Sequence, residues 1–386
     1  MFYRVLSQLV IIVLKVFFRK IYFNGEEHIP EKGALIIAAN HPMAFADACI
    51  LACFISRPLH FLVRGDVFRR GWKWFFRWTN QIPIYRFRDG FSNLRKNHLS
   101  FIKVQEALAN QRAVLIFCEG NTKFQMRLQK VQRGTARLVF GTFEEKGVDD
   151  IYILPVGINY TSGSRFRFEI MIEIGTPLRQ KDYLDEYRRD KSKGIQSLTK
   201  DLQSALRPLV VHIEDEKDDR WVLSWVDFQR ELVRRNRFPV MEKNKDQFEI
   251  EKRWVEKING LESAVRQRLG EMVEAWTSAP AFPLTQAGTT MTLGLLILSA
   301  PMALLGWALN FLPFYAAKWI AEAKVDKIEF CYPVRMGLFL VLGLVYYLIL
   351  GVLLTIVFWP GILVIILIPA LGYFSIIWLE EWRKSH

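Results

Sequence analysis

The stretch Ala34-Leu35-Ile36-Ile37-Ala38-Ala39-Asn40-His41-Pro42-Met43-Ala44-Phe45-Ala46-Asp47 decides how the chain is read. An apolar run of strand length stops at Asn-His-Pro, and an aspartate follows soon after the histidine. Pro42 disfavours the α region for the residue before it, so His41 belongs on extended or turn backbone at the strand's end. If His41 and Asp47 shared one regular helix, their offset at about 100° per residue would carry them to different faces. A His41–Asp47 contact therefore requires a loop at His41 that bends into a helix carrying Asp47. Ala46 to Ala52 reads as the early turns of that helix.

Such a pair suggests general-base catalysis. A neutral imidazole can take a proton from a hydroxyl, while a carboxylate on its other nitrogen fixes the tautomer and stabilises the imidazolium. The plain alternative is a His and an Asp that only cap and solvate a helix start. No Gly-x-Ser-x-Gly elbow stands out, and Cys118 lies far away in sequence. The pair reads as a base without a protein nucleophile, which points to direct attack by a substrate hydroxyl.

The surrounding composition sets the context. The chain has 386 residues, 51% hydrophobic and 24% charged, with a formal net charge of +13. That length suggests two or three units. A mean hydropathy of +0.11 beside so many charges means that apolar residues are segregated. No acidic or basic residue occurs from Ala275 to Ala317, and none from Met336 to Leu379. The four cysteines, Cys49, Cys53, Cys118 and Cys331, show no framework spacing and read as reduced, buried thiols. A basic excess accompanied by long uncharged runs fits an anionic membrane surface or phosphorylated substrates, and argues against nucleic acid.

Upstream of the opening stretch, Met1 to Phe23 combines a dense apolar run with Arg4, Lys15, Arg19 and Lys20. At helical spacing Arg4, Gln8, Lys15 and Arg19 fall on one stripe, which predicts an amphipathic membrane-associating helix over residues 1–23. Lysine and arginine follow its apolar core where a signal peptide would carry small residues, so the helix is read as retained. Downstream, Phe61 to Thr79 interleaves aromatic and basic residues, as suits headgroup depth or an ordinary amphipathic helix.

Gln81 to Gly90 reads as a short strand ending in Arg86 and Arg88, two residues apart and so on one face, where two guanidinia would make a phosphate fork. Ala113 to Phe117 is a continuous apolar strand running directly into Cys118-Glu119-Gly120-Asn121-Thr122-Lys123. A lone carboxylate at a buried strand's carboxyl end is a cleft residue in an α/β sheet. Ile151 to Tyr160 is another strand, which Pro155 assigns to an edge or a bulge. Arg165 to Ile174 alternates polar and apolar residues, as a half-exposed strand does. Strand and helix alternate across residues 34–175, so the fold class is α/β, a layered domain with a largely parallel sheet flanked by helices.

Four segments in this order resemble the motif blocks of the glycerolipid acyltransferases, the family of glycerol-3-phosphate and lysophosphatidic acid acyltransferases. Asn40 to Asp47 resembles the His-x4-Asp block, Ile82 to Arg86 the block whose arginine binds phosphate, and Phe117 to Gly120 the Phe-Pro-Glu-Gly block. Leu154 to Gly157 resembles the last, near the acyl-donor channel. The resemblance covers residues 24 to about 175. Three features depart from it. Five residues separate His41 from Asp47, Cys118 replaces the usual proline, and Asn121-Thr122-Lys123 replaces Thr-Arg. The longer spacing resembles the branch that acylates glycerol phosphate and its relatives.

The resemblance implies a mechanism without a metal, a cofactor or an acyl-enzyme. His41 would deprotonate a glycerol hydroxyl, which attacks the thioester of acyl-CoA or acyl carrier protein. Asp47 would orient His41, and Arg86, with Arg88 and Lys123 as further candidates, would hold the phosphate. Glu119 and Gly120 would position the acceptor, glycerol 3-phosphate or 1-acylglycerol 3-phosphate. Two other readings stay open: a lysophospholipid acyltransferase or transacylase using another acceptor, and a membrane scaffold with vestigial site residues.

On this reading residues 24–180 form the acyltransferase domain. Residues 181–285 form a charged helical extension anchored by Trp221, Trp225 and Trp254, and residues 286–386 a membrane-embedded helical region. Gly337 to Phe358 and Ile362 to Leu379 are each long enough to span a bilayer core, with a turn at Trp359-Pro360-Gly361. Thr289 to Leu312 is a third candidate, interrupted by Pro301 and read as a re-entrant hairpin. Lys318, Lys324, Lys327, Arg335, Arg383 and Lys384 flank these segments, which predicts an integral membrane protein with its catalytic domain on the cytoplasmic face.

Overall fold

The structure, a computed structural model, describes residues 2–65, 71, 73–85, 97–163, 165–232, 238–278, 292–357 and 361–385. Helix α1 (Phe2–Phe17) passes without a linker into strand β1 (Phe18–Asn24). The helix expected through Phe23 therefore ends at Phe17. Phe18, Ile21, Tyr22 and Phe23 suit a strand as well as an apolar helix face, and pairing decides between them. β1 lies between two parallel neighbours, β7 (Phe168–Ile174) and β9 (Met241–Glu242). Lys20, read as part of a membrane-facing helix, is buried and ion-paired with Glu242.

The remaining strands are β2 (Ala34–Ala39), β3 (Leu59–Arg64), β4 (Gln81–Ile84), β5 (Ala113–Phe117), β6 (Ile151–Tyr160) and β8 (Leu178–Arg179). Among the described residues they form one sheet in the order β4-β3-β5-β2-β6-β7-β1-β9, with β8 pairing β6 off that path. All neighbours are parallel except β6 with β7 and β6 with β8. The α/β class with a largely parallel sheet is therefore observed.

Helices α2 (Ala44–Phe54), α3 (Lys73–Trp78), α4 (Asn97–Ala109), α5 (Gly134–Lys146), α6 (Leu184–Arg189) and α7 (Lys191–Leu206) follow in turn. The unbroken apolar run of β2 reflects burial on both faces, as parallel strands require. Leu35, Ile37 and Ala39 join the core beneath α1 and α2, and Ala34, Ile36 and Ala38 the core beneath α4, α5 and α7.

Helices α8 (Asp219–Leu232), α9 (Asp246–Asn259) and α10 (Ser263–Ser278) make the extension. They cover the end of the sheet through a third core that includes Tyr22, Met171, Trp221 and Phe248. This layer explains a difference from the sequence reading: β7 is buried along its whole length. Its Glu173 accepts a hydrogen bond from Asn24 at 2.7 Å, and burial pushes the Glu173 carboxyl up to about 7. Trp254 departs in the other direction, being 40% exposed where an anchor was expected. Pro155 does not mark an edge, because β6 is central. It lies where the second neighbour of β6 changes from β8, whose last pair along β6 is Leu178 opposite Ile153, to β7, whose first is Ile174 opposite Val156. A residue without an N–H costs little at that break.

The chain ends in three long apolar helices, α11 (Leu293–Lys324), α12 (Ile328–Val357) and α13 (Gly361–Ser385). Two of them, α11 and α12, are long and apolar enough to cross a membrane. The break expected at Pro301 is absent: α11 runs on through Pro301 and Pro313. On either side of Pro301, α13 supplies donors to the carbonyls of α11, Trp378 Nε1 to Leu296 at 2.9 Å and Ser375 Oγ to Ala303 at 2.7 Å. Such bonds and close approach at small residues are how helices associate in lipid. A Cβ at Gly306 would stand 2.3 Å from the Leu371 carbonyl oxygen.

Candidate active site

The carboxyl ends of β2, β5 and β6 converge on one point, as expected for a site in an open parallel sheet. Beyond β2, Asn40 continues the ladder with its side chain. It donates to the Ile158 carbonyl at 2.9 Å and accepts the Ile158 N–H at 2.7 Å. His41 follows, and the chain then turns sharply, with Ala44 at a φ of 42°. A non-glycine residue there is strained, and such residues cluster at functional sites.

That turn brings His41 and Asp47 together. His41 Nδ1 lies 2.9 Å from Asp47 Oδ2, so the bent-backbone contact expected from the sequence is present. The same Asp47 oxygen accepts the Met43 N–H at 2.9 Å, and Oδ1 accepts the Tyr160 hydroxyl at 2.7 Å. Asp47 is sealed from solvent, whereas the His41 side chain keeps 16% exposure. With Nδ1 donating to Asp47, Nε2 is left as the basic nitrogen, and it has no partner among the described residues. The imidazole lies flat on the Phe117 ring, with centroids 3.7 Å apart. Burial next to Asp47 drives the Tyr160 phenol well above its usual range, which keeps it a neutral donor.

Glu119 stands beside the pair as a tether. Its Oε2 accepts the His41 backbone N–H at 2.9 Å and its Oε1 the Gln129 N–H at 2.8 Å, joining the ends of β2 and β5 to the following loop. Burial pushes its carboxyl up to about 7, with the two backbone bonds pulling the other way. Gly120 has a φ of +69°, the left-handed conformation that glycine adopts freely. The Cys118 thiol donates to the Ala39 carbonyl at 3.2 Å, and burial pushes its pKa up, which makes it a poor nucleophile.

Arg86 and Arg88 lie outside the described residues. Lys123 ion-pairs with Glu216 on an exposed surface. In the fourth block, Gly157 has a packing role: a Cβ there would stand 2.0 Å from the Leu209 carbonyl oxygen. The sequence reading missed Asn40 and Tyr160. Asn40 stood at the end of the apolar run as a visible signal, whereas nothing local marks Tyr160. At the rim, Phe45 is 44% exposed and its ring lies against α12, 3.5 Å from where a Cβ on Gly337 would stand.

The family model described as Acyltransferase matches residues 20–159, the segment that carries His41, Asp47 and Glu119 and ends one residue before Tyr160. Within this stretch lie the four blocks that resemble those of the glycerolipid acyltransferases, and the chain is similar to proteins of that kind. The chain is 27% identical over 111 residues to glycerol-3-phosphate O-acyltransferase 1 of Saccharomyces cerevisiae. That match takes in 25% of this chain and 15% of the yeast protein. Among solved structures, the 1-acyl-sn-glycerophosphate (LPA) acyltransferase PlsC of Thermotoga maritima matches with a TM-score of 0.35 and 19% identity, over 50% of this chain and 79% of that one.

Proposed function

We propose that the chain is a membrane-bound O-acyltransferase that moves a fatty acyl group from a thioester carrier, acyl-CoA or acyl carrier protein, to a hydroxyl of a glycerol phosphate. The acceptor is glycerol 3-phosphate or 1-acylglycerol 3-phosphate. The observation that carries this reading is the buried Asp47 holding Nδ1 of His41, with Nε2 left unpartnered among the described residues. In this reading Nε2 accepts the acceptor's hydroxyl proton as the oxygen attacks the thioester carbonyl. The C–S bond then breaks, and the departing thiolate recovers the proton from the imidazolium. No metal and no acyl-enzyme enters the sequence.

Arg86 and Arg88 take the phosphate. Lys123 joins them only by leaving Glu216, and an exposed ion pair costs little to break. Glu119 and Gly120 act on the acceptor indirectly, by fixing the His41 backbone and the loop beside it. Helices α11 and α12 cross the bilayer in this reading; the contact of Phe45 with α12 supports a site at its surface, and the basic residues flanking the apolar helices support the cytoplasmic side.

The test uses purified full chain in lipid, given labelled acyl-CoA with glycerol 3-phosphate and, separately, with 1-acylglycerol 3-phosphate. The wild type should acylate one of them, and Arg86→Ala should raise the KM for that acceptor. Transfer to neither acceptor, or transfer that survives His41→Ala, overturns the reading.

A further inference from the structure

A cavity of about 1600 Å³ opens between α1, the segment Thr161–Glu169 and the three carboxyl-terminal helices. None of His41, Asp47 or Glu119 lines it. Most of its wall is apolar, from Leu9 and Val13 on α1 to Trp307, Phe311 and Leu344 on the long helices. Its charged lining is unevenly matched. Arg165 and Arg230 pair with Asp227, Arg167 with Glu380, and Lys318 with Glu322.

Arg335 on α12 is different. It is 8% exposed, and it makes no hydrogen bond or ion pair among the described residues; its Nε is buried without a partner. Its guanidinium lies over the rings of Phe314, at 4.7 Å, and Phe166, at 5.5 Å. Arg167, also 8% exposed, brings a second unsatisfied nitrogen, Nη2, to the same wall. Its remaining nitrogens are held by Glu380 and by the Lys15 and Phe18 carbonyls.

A buried guanidinium without an acceptor is costly, and aromatic faces offset only part of that cost. Arg335 in that state, with the spare Nη2 of Arg167 on the same largely apolar wall, specifies a ligand with an anionic head and a long apolar body. We infer that this cavity is a binding site for an anionic phospholipid. Its phosphate accepts hydrogen bonds from Arg335 and from Nη2 of Arg167, and its acyl chains lie between α1, α11, α12 and α13. The site is separate from the catalytic pair and stands whether or not the acyl acceptor is the one proposed above.

Native mass spectrometry of the full chain in detergent, with phosphatidate, diacylglycerol or glycerol 3-phosphate added at equal concentration, tests this. Phosphatidate should be retained over diacylglycerol by about tenfold or more, the factor that one charge-assisted hydrogen bond supplies. Glycerol 3-phosphate, with the head but no chains, should leave no adduct. Arg335→Gln should remove the preference, and Gly343→Phe, which fills the cavity without changing charge, should remove retention. His41→Ala should retain phosphatidate like the wild type. Equal retention of the two lipids, an adduct with glycerol 3-phosphate alone, or a preference that survives in a folded Arg335→Gln protein would overturn the inference. Loss of phosphatidate in His41→Ala would also overturn it, by assigning the lipid to the catalytic site.

Discussion

Tyr160 donates its hydroxyl to Asp47 at 2.7 Å from the far end of β6, and both groups are buried. The Asp47 carboxylate is therefore held by a strand that carries neither His41 nor Glu119. Tyr160→Phe leaves one Asp47 oxygen buried without that donor, which costs about 1–3 kcal/mol. Urea denaturation should show a loss of that size. The KM for the phosphorylated acceptor should stay unchanged, because the phenol faces Asp47.

Asp47→Asn keeps the shape of the site and changes its acceptor to an amide. The imidazole then no longer has a carboxylate to fix its tautomer and stabilise its charged form. Turnover should fall by about 10²–10⁴, similar to His41→Ala, as for loss of a general base. If the two residues act as a unit, the double variant should be no slower than His41→Ala. Additive losses in acyl-transfer assays would separate their roles.

Glu119 gives a pH dependence with a defined sign. Its carboxyl is raised from 4.5 to about 7, chiefly by burial, so the folded chain binds this proton more tightly than the unfolded chain. Its contribution to stability is full below about pH 4.5 and is lost as pH rises through about 7. Glu119→Gln should flatten the stability profile between those limits. Its amide can accept from only one of the His41 and Gln129 N–H groups, so it should also lower stability at every pH. Denaturation midpoints at pH 5 and pH 8, for wild type and variant, check both effects.

Gly157→Ala puts a methyl group where the Leu209 carbonyl already sits. Overpacking of this kind costs about 1–3 kcal/mol. Thermal melting of the variant should reveal it, whereas Gly147→Ala, with nothing within 4 Å of the added carbon, should cost only the strain of its φ of +67°.

Much of the site was legible because its signals are local. Strand β2 ends in a run that Asn40 closes, β5 ends where Glu119 and Gly120 begin, and Pro42 forces the turn that His41 needs. Tyr160 and the Asn40–Ile158 clamp were invisible because their partners lie more than a hundred residues away, where no spacing rule reaches. The end of α1 was misread for a different reason. Phe18 to Phe23 satisfies a helical stripe and a strand equally well, and only the neighbours β7 and β9 choose. The covering of β7 by α8, α9 and α10 reversed an alternation that, taken alone, described an exposed face.

The direct passage from Phe17 to Phe18 has a mechanical result. With no hinge residue between helix and sheet, and with Phe17 wedged among Phe166, Phe314, Tyr332 and Phe339, α1 is coupled directly to the sheet that carries His41. Any layer in which α1 settles thus fixes the height and tilt of His41.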